Sequence, residues 1–276
     1  MTFEPEQLGQ SKADLAEKLR ELRKRAGLTG DRLARRCNMS QSQISKFETG
    51  KKTPKLVDVE RILRALGASP ENVAEITALA RIANTEWQDK RSSWRRGMEK
   101  RQTELASLES EATELRYFLP AMITGLLATP EYIRAGLSHT PGDPTKTVAR
   151  KLERQDVLYD TSKEFTFLLT EQAARWAIVP LPAMAVQIDH LVSLSRLPNL
   201  RIGVIPMGTV LPRGPMNTFT VYDRRLVTVE SFTGRMVFRD SRDVSDHLAV
   251  FSLFEHQACF DDDARGLLQQ WADCCR

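Results

Sequence analysis

Leu15, Leu19 and Leu22 recur at the three-to-four-residue interval of one helix face, with Lys, Arg and Glu between them. Ala13 to Ala26 therefore reads as an amphipathic helix, and Gly27 stops it because glycine tolerates the left-handed backbone at a helix end. Leu33 and Ala34 predict a second, shorter helix from Gly30 to Cys37, capped by Thr29 and ended at Asn38. In "SQSQISKFETGKKTP", Ile44 and Phe47 form an apolar side inside an otherwise polar run. That predicts a third helix from Gln41 to Glu48, capped by Ser40 and stopped by Gly50. After Pro54, the positions Leu56, Val59, Ile62, Leu63 and Leu66 define a fourth helix ending at Gly67. Two short helices joined by three or four residues have helix-turn-helix spacing.

Further on, the periodicity changes twice. Residues 71–116 contain only Gly97 as a breaker and carry Val73, Ile76, Leu79, Ile82 and Ala83, then Trp87 and Trp94, which predicts long helices. Within them, "KRSSWRRGMEKR" (90–101) is basic, read either as a solvated face or as an extra phosphate contact. "ELASLESEATELRYFL" (104–119) is acidic, with Leu105, Leu108, Ala112 and Leu115 at helical spacing. Beyond it, "EFTFLL" (164–169) and "LRIGVI" (200–205) read as strands separated by a helix over Ala183 to Leu194, the order of a right-handed parallel crossover. Thr147 to Tyr159 reads as a helix. Phe219 to Tyr222, Leu226 to Ser231 and Arg235 to Phe238 read as a meander with turns at Asp223-Arg224 and Thr233-Gly234. Helices over Val244 to His256 and Asp262 to Trp271 close the chain. The fold class is thus α+β: an all-α helix-turn-helix domain over 1–70, a helical connector over 71–116, and a mixed α/β domain over 117–276.

Charge sharpens this division. Residues 1–70 hold 15 Lys or Arg against 9 Asp or Glu, while the remainder holds 25 against 27. The positive excess lies where a polyanion is expected to bind. The N-terminus lacks the basic-then-apolar order of a signal peptide, and no apolar run approaches the ~20 residues of a membrane span, so a cytoplasmic, nucleoid-associated protein is expected. Four scattered cysteines, Cys37, Cys259, Cys274 and Cys275, suit reduced thiols. A zinc site from His256 and the last three cysteines has irregular spacing, and no metal or cofactor is expected. No catalytic spacing links His139, His190, His247 and His256, and no nucleophile elbow or phosphate loop is present, so no catalytic residue is assigned.

The stretch "LRELRKRAGLTGDRLARRCNMSQSQISKFETGKKTP", followed by "LVDVERILRALGAS", resembles the XRE-type, lambda-repressor-like helix-turn-helix family. The resemblance implies that the third helix enters the major groove with its N-terminal residues leading. By position Gln41, Ser42 and Lys46 would then reach base edges. Ser40, Gln43, Ser45, Thr49, Lys51 and Lys52 would meet the backbone. Arg23 and Glu48 match positions that form a salt bridge in the family. Gly30 departs from it, standing where members usually carry a phosphate-touching Gln, and Arg32 is the nearby substitute.

From "LESEATELRYFLPAMITGLLATPEYIRA" onward, through "KLERQDVL", "FTFLLTEQAAR", "LPNLRIGVIPMG", "NTFTVYD" and "VTVESFTG", the chain resembles the domain of unknown function that follows this motif in actinobacterial, WhiJ-like and antitoxin-like regulators. Thr124 and Ala128 replace the usual Pro and Gln of that pattern. The resemblance implies a regulator of double-stranded DNA whose second domain takes a small acidic partner protein; a homodimer is expected because one short reading helix spans only a few base pairs. The implied surface holds Arg213, Asn217, Phe219, Glu230 and Phe232, residues that equally suit ordinary loop and sheet packing. A metabolite-gated regulator, and an enzyme tethered to DNA by its first domain, remain as alternatives.

Overall fold

The protein is described by a computed structural model covering residues 7–89, 98–139 and 142–276. The basic run over 90–101 lies outside the described residues apart from the helical backbone of its last four; Trp94 and the side chain of Trp87 lie outside them too. Residues up to Trp87, with Met236–Asp240, form one compact unit, and Gln88–Arg235 with Ser241–Arg276 form the other.

The first unit is built from α1 (Gln7–Arg25), α2 (Gly30–Cys37), α3 (Gln41–Glu48), α4 (Leu56–Leu66) and α5 (Pro70–Asn84). The starts of α2, α3 and α5 are fixed by side-chain caps. Thr29 Oγ1 accepts from the Arg32 N–H at 3.3 Å, Ser40 Oγ from the Gln43 N–H at 3.1 Å, and Ser69 Oγ from the Asn72 N–H at 3.3 Å. Gly27, Asn38, Gly50 and Gly67 take left-handed backbone at the breaks, with φ of 64°, 52°, 68° and 62°. Inside, Leu15, Leu19, Leu33, Ile44, Phe47, Val59 and Ile62 are at most 2% exposed. Each such side chain contributes roughly 1.5–3 kcal/mol by leaving water.

Residues 70–84 are not a connector. Ile76, Ala80 and Ala83 complete the first unit's core, and α5 packs on α1. The expected continuous helix also stops at Asn84. Its side-chain amide donates to Ala80 O at 2.8 Å and Pro54 O at 2.9 Å, and the chain continues as β1 (Thr85–Asp89).

The second unit contains α6 (Met98–Glu111), β2 (Glu114–Leu119), α7 (Pro130–Gly136), α8 (Thr145–Glu153) with a 3₁₀ turn (Arg154–Tyr159), β3 (Glu164–Thr170), α9 (Glu171–Arg175), α10 (Leu181–Leu194), β4 (Leu200–Ile205), β5 (Phe219–Tyr222), β6 (Leu226–Glu230), the first two residues of β7 (Gly234–Phe238), α11 (Ser241–Glu255) and α12 (Asp261–Asp273). Its strands run in the order β7-β6-β5-β2-β3-β4. β2, β3 and β4 are parallel, as the strand-helix-strand order predicts, and β5 is antiparallel to both β2 and β6. On one face Tyr117 stacks on Phe167 at 4.6 Å; on the other Phe118 stacks on Phe254 of α11 at 4.4 Å.

The helical reading of 104–119 fails after Glu111. Leu115 falls in helical phase with Leu108 and Ala112 by coincidence; residues 114–119 are instead a strand paired on both edges, with Leu115–Leu119 set against Phe165–Leu169. Asp223, at φ 52°, fixes the start of this strand: its Oδ1 accepts from the N–H groups of Thr113 and Glu114, both at 2.9 Å. Burial raises that carboxyl, but these donors outweigh it and hold the group below its ordinary value. The residues 154–159, expected as regular helix, close instead as a tighter 3₁₀ turn.

α6 is held to the sheet by buried charge. Glu109 Oε2 lies 2.8 Å from Arg154 Nε, and the Tyr117 hydroxyl donates to Glu109 Oε1 at 3.1 Å. Burial pushes the Glu109 carboxyl up, against the pull of Arg154. At β4, a Cβ on Gly203 would stand 2.6 Å from Phe260 Cζ and 2.8 Å from Leu168 Cδ2. Leu168 is fully buried and has nowhere to yield. Gly203→Ala is therefore expected to destabilise the chain by about 1–3 kcal/mol, seen as a lower Tm in thermal denaturation.

Candidate nucleic-acid interface

The turn between α2 and α3 consists of three residues, Asn38, Met39 and Ser40, of which Asn38 carries the left-handed bend. Asn38 N–H donates to Arg35 O at 3.2 Å and Met39 N–H to Ala34 O at 2.9 Å, so the turn returns its first two amides to α2. α3 then has two faces. Ile44 and Phe47 are each 1% exposed and anchor it in the core. Gln41, Ser42, Ser45 and Lys46 are exposed, while Gln43 is half-buried. The side chains of Gln41, Ser42 and Lys46 make no hydrogen bond or ion pair with any of the described residues. They are polar groups on a fixed backbone with unspent donors and acceptors.

Arg23 and Glu48 brace this helix from α1. Arg23 Nε meets Glu48 Oε1 at 2.6 Å and Nη2 meets Oε2 at 2.8 Å, a two-pronged contact. The third donor, Nη1, reaches Leu28 O at 2.8 Å, tying the loop before α2 into the same network. The side chains are 15% and 10% exposed. The hydrogen bonds that Arg23 donates to Glu48 raise its guanidinium above the ordinary value.

The residues expected at the DNA backbone divide. Ser40 spends its oxygen lone pair on the Gln43 N–H, leaving its hydroxyl proton to donate. Thr49 differs: its hydroxyl donates to Ser45 O at 2.7 Å, and a phosphate, which only accepts, must compete for that proton. Lys51 and Lys52 are exposed just past Gly50, with the Lys52 N–H bonded to Lys46 O at 3.1 Å. At Gly30 a Cβ would meet Gln41 Nε2 at 3.9 Å, so the first residue of α2 lies beneath the first of α3. Arg20 joins Gln41 and Ser45 on a cleft of ≈ 280 Å³ at this place. The only sequence signal for Arg20 is its place one helical turn before Arg23.

In the second unit, Arg213 and Asn217 are exposed on the loop over 206–218, and Phe232 is 97% exposed in the turn before β7. Glu230 is half-buried at the end of β6. Phe219 is not a surface residue. It is 5% exposed, packs at 5.4 Å on Phe118, and meets His247 and Phe251 edge-on. β5 is paired on both edges and covered by α11, which leaves none of its side chains at a surface. Among the described residues no three of His, Cys, Asp and Glu come together to hold a metal, and Cys37, Cys259, Cys274 and Cys275 are free thiols. Burial raises the Cys37 thiol.

Residues 102–270, more than half of the chain and all but the ends of the second unit, match the domain of unknown function DUF5753. The chain belongs to this family. In this DUF5753 protein, residues 14–76 match a helix-turn-helix domain, the stretch holding α2, α3 and the brace on α1. No curated protein is significantly similar to it. Among solved structures it is similar to a phospholipase D family member, Nuc from Salmonella typhimurium (TM-score 0.35, 8% identity, over 58% of this chain and 90% of that one). NucT from Helicobacter pylori is similar at TM-score 0.36 and 9% identity, over 63% and 96% of the two chains. TrmBL2, an archaeal chromatin protein, is similar at TM-score 0.33 and 13% identity, over 78% and 68%. TM-scores this low do not establish a shared fold. Among the described residues of the DUF5753 protein, no helix is long and apolar enough to cross a membrane.

Proposed function

We propose that this chain is a sequence-specific, XRE-type transcription regulator that binds double-stranded DNA as a homodimer. One observation carries the reading: Gln41, Ser42 and Lys46 stand exposed and unengaged on a helix whose other face, Ile44 and Phe47, is locked in a core. Gln presents a donor and an acceptor together, which suits adenine, and Lys suits the two acceptors of guanine. Ser40, Lys51 and Lys52 then fix the register on phosphates. One eight-residue helix spans only a few base pairs, so two copies reading half-sites about 34 Å apart supply the remaining specificity.

The DUF5753 unit acts in this reading as the controlling domain, of the WhiJ-like, antitoxin-like kind. It takes a small acidic partner protein rather than catalysing a reaction. The exposed Arg213, Asn217 and Phe232 support that role; Phe219, being core, does not belong to the surface. The partner shifts DNA affinity only as far as it binds one state of the regulator better than another.

Genome-wide footprinting of the tagged protein tests the proposal, with discrete occupied sites sharing a two-fold sequence as the expected result; diffuse occupancy alone counts against it. On a footprinted site, log K is expected to fall linearly with log salt. Lys51→Ala and Lys52→Ala should each flatten that slope by about 2, one phosphate contact in each copy of the dimer, and weaken all sequences alike. A changed preference among sequences in either variant would contradict the phosphate assignment.

A further inference from the structure

Two chain segments, the one after β3 and the loop between β4 and β5, meet at one end of the second unit's sheet. β3 and β4 are parallel with Thr170 opposite Ile205, so the segments after them emerge side by side. A direct bond joins them: Glu171 Oε2 accepts from the Met207 N–H at 2.8 Å. The last residues of that loop, before β5, return to the same end, where the Glu230 N–H donates to Thr218 O at 2.9 Å.

Both segments hold apolar stretches in water. "WAIVPLP" (176–182) and "PMGTVLP" (206–212) hold no charged residue, in a chain that is 28% charged. Trp176, Ile178 and Leu181 are 62%, 42% and 54% exposed, and Met207 and Val210 are 64% and 89% exposed. Met216, further along the second loop, is 76% exposed. Grouped apolar side chains of this size mark an interaction site rather than ordinary surface. The two loops are stiffened by Pro180, Pro182, Pro206 and Pro212 and clamped together through Glu171, so little ordering entropy is lost when they are covered.

From this end of the sheet we infer that a second copy of the chain is the occupant: the loops over 176–182 and 206–212 form the contact of a two-fold dimer. In such a contact the same patch faces itself, so any charge at its centre meets a like charge. The two loops carry no charge of their own, and the charges at their junction, Glu171 and Arg175, are paired with each other, so the patch meets that requirement and offers no unpaired charge to a charged ligand. The inference rests on the DNA-binding reading for one point, that an eight-residue reading helix needs a second copy to span two half-sites. Arg213, Asn217 and Phe232 adjoin the same end, so a partner protein bound through them competes with the second copy.

Sedimentation of the full chain without DNA tests this. The wild type is expected to be a dimer at low micromolar concentration. Trp176→Glu with Val210→Glu places four carboxylates in the contact and should raise the dimer Kd by at least about 100-fold. Both side chains are exposed, so folding, checked by circular dichroism, is expected to be unchanged. Tyr159→Glu, 63% exposed before β3 at the opposite strand end, should leave the dimer intact. A monomeric wild type overturns the inference, and so does a dimer that the double variant leaves undisturbed. Because the measurement uses no DNA, either failure leaves the reading of α3 standing. Conversely, a dimer split by the double variant supports the contact even if no operator is found.

Discussion

Gln41→Ala combined with Lys46→Ala is expected to abolish sequence-specific DNA binding while the protein stays folded. Each base contact is worth about 1–3 kcal/mol of discrimination, so losing both raises the operator Kd between about 30-fold and about 10⁴-fold for each half-site. Affinity for a scrambled duplex should fall far less, by the loss of one cation in each copy, because Ser40, Lys51 and Lys52 still face the phosphates in the proposed pose. Stability should change by less than about 0.5 kcal/mol, since both side chains are exposed and unengaged. Fluorescence anisotropy on a footprinted operator and a scrambled duplex, at one fixed salt concentration, measures both effects. An operator-to-scrambled ratio that survives the double substitution would show that another surface reads the sequence.

Removing one side of the brace is expected to act oppositely, on the fold first and on binding as a consequence. In Glu48→Ala the Arg23 guanidinium keeps its bond to Leu28 O but loses its counter-charge in a mostly buried place. That should cost the first unit about 3 kcal/mol. Arg23→Lys keeps a charge but not the two-pronged geometry, and should fall between wild type and Arg23→Ala. Arg23→Met with Glu48→Leu replaces both charges by apolar side chains of similar size and should recover much of the loss. Because the chain has two compact units, a single overall unfolding energy is ill-defined, and hydrogen exchange at α1 and α3 amides is the suitable measurement. Equal losses in the double and single variants would mean that the pair acts through packing and not through charge.

The two halves of the molecule differ in how far their sequence can be read. α2, α3 and α4 lie where the sequence places them, with Thr29, Ser40, Asn38 and Gly67 at their ends. Those ends are set by hydrogen bonds spanning three or four residues, which a sequence displays directly. β2 shows the reverse. "ELRYFL" fits a helical stripe as well as a strand, and its state is decided by partners about 50 and over 100 residues away, Phe165–Leu169 and Phe219–Tyr222. The candidate site divides in the same way. The exposed polar face of α3 follows from the spacing of Ile44 and Phe47. Arg20 beside Gln41, and Phe219 turned into the core, follow from how separate elements pack.

Sequence alone determined the helix-turn-helix, its caps and the exposed polar face of α3, because each depends on neighbours within one or two helical turns. Tertiary structure alone decided three things: that α5 completes the first core, that residues 114–119 pair as a strand, and that two uncharged loops meet at one end of the sheet. Each of these depends on which distant surface covers a segment, and hydrophobic burial is indifferent to separation along the chain.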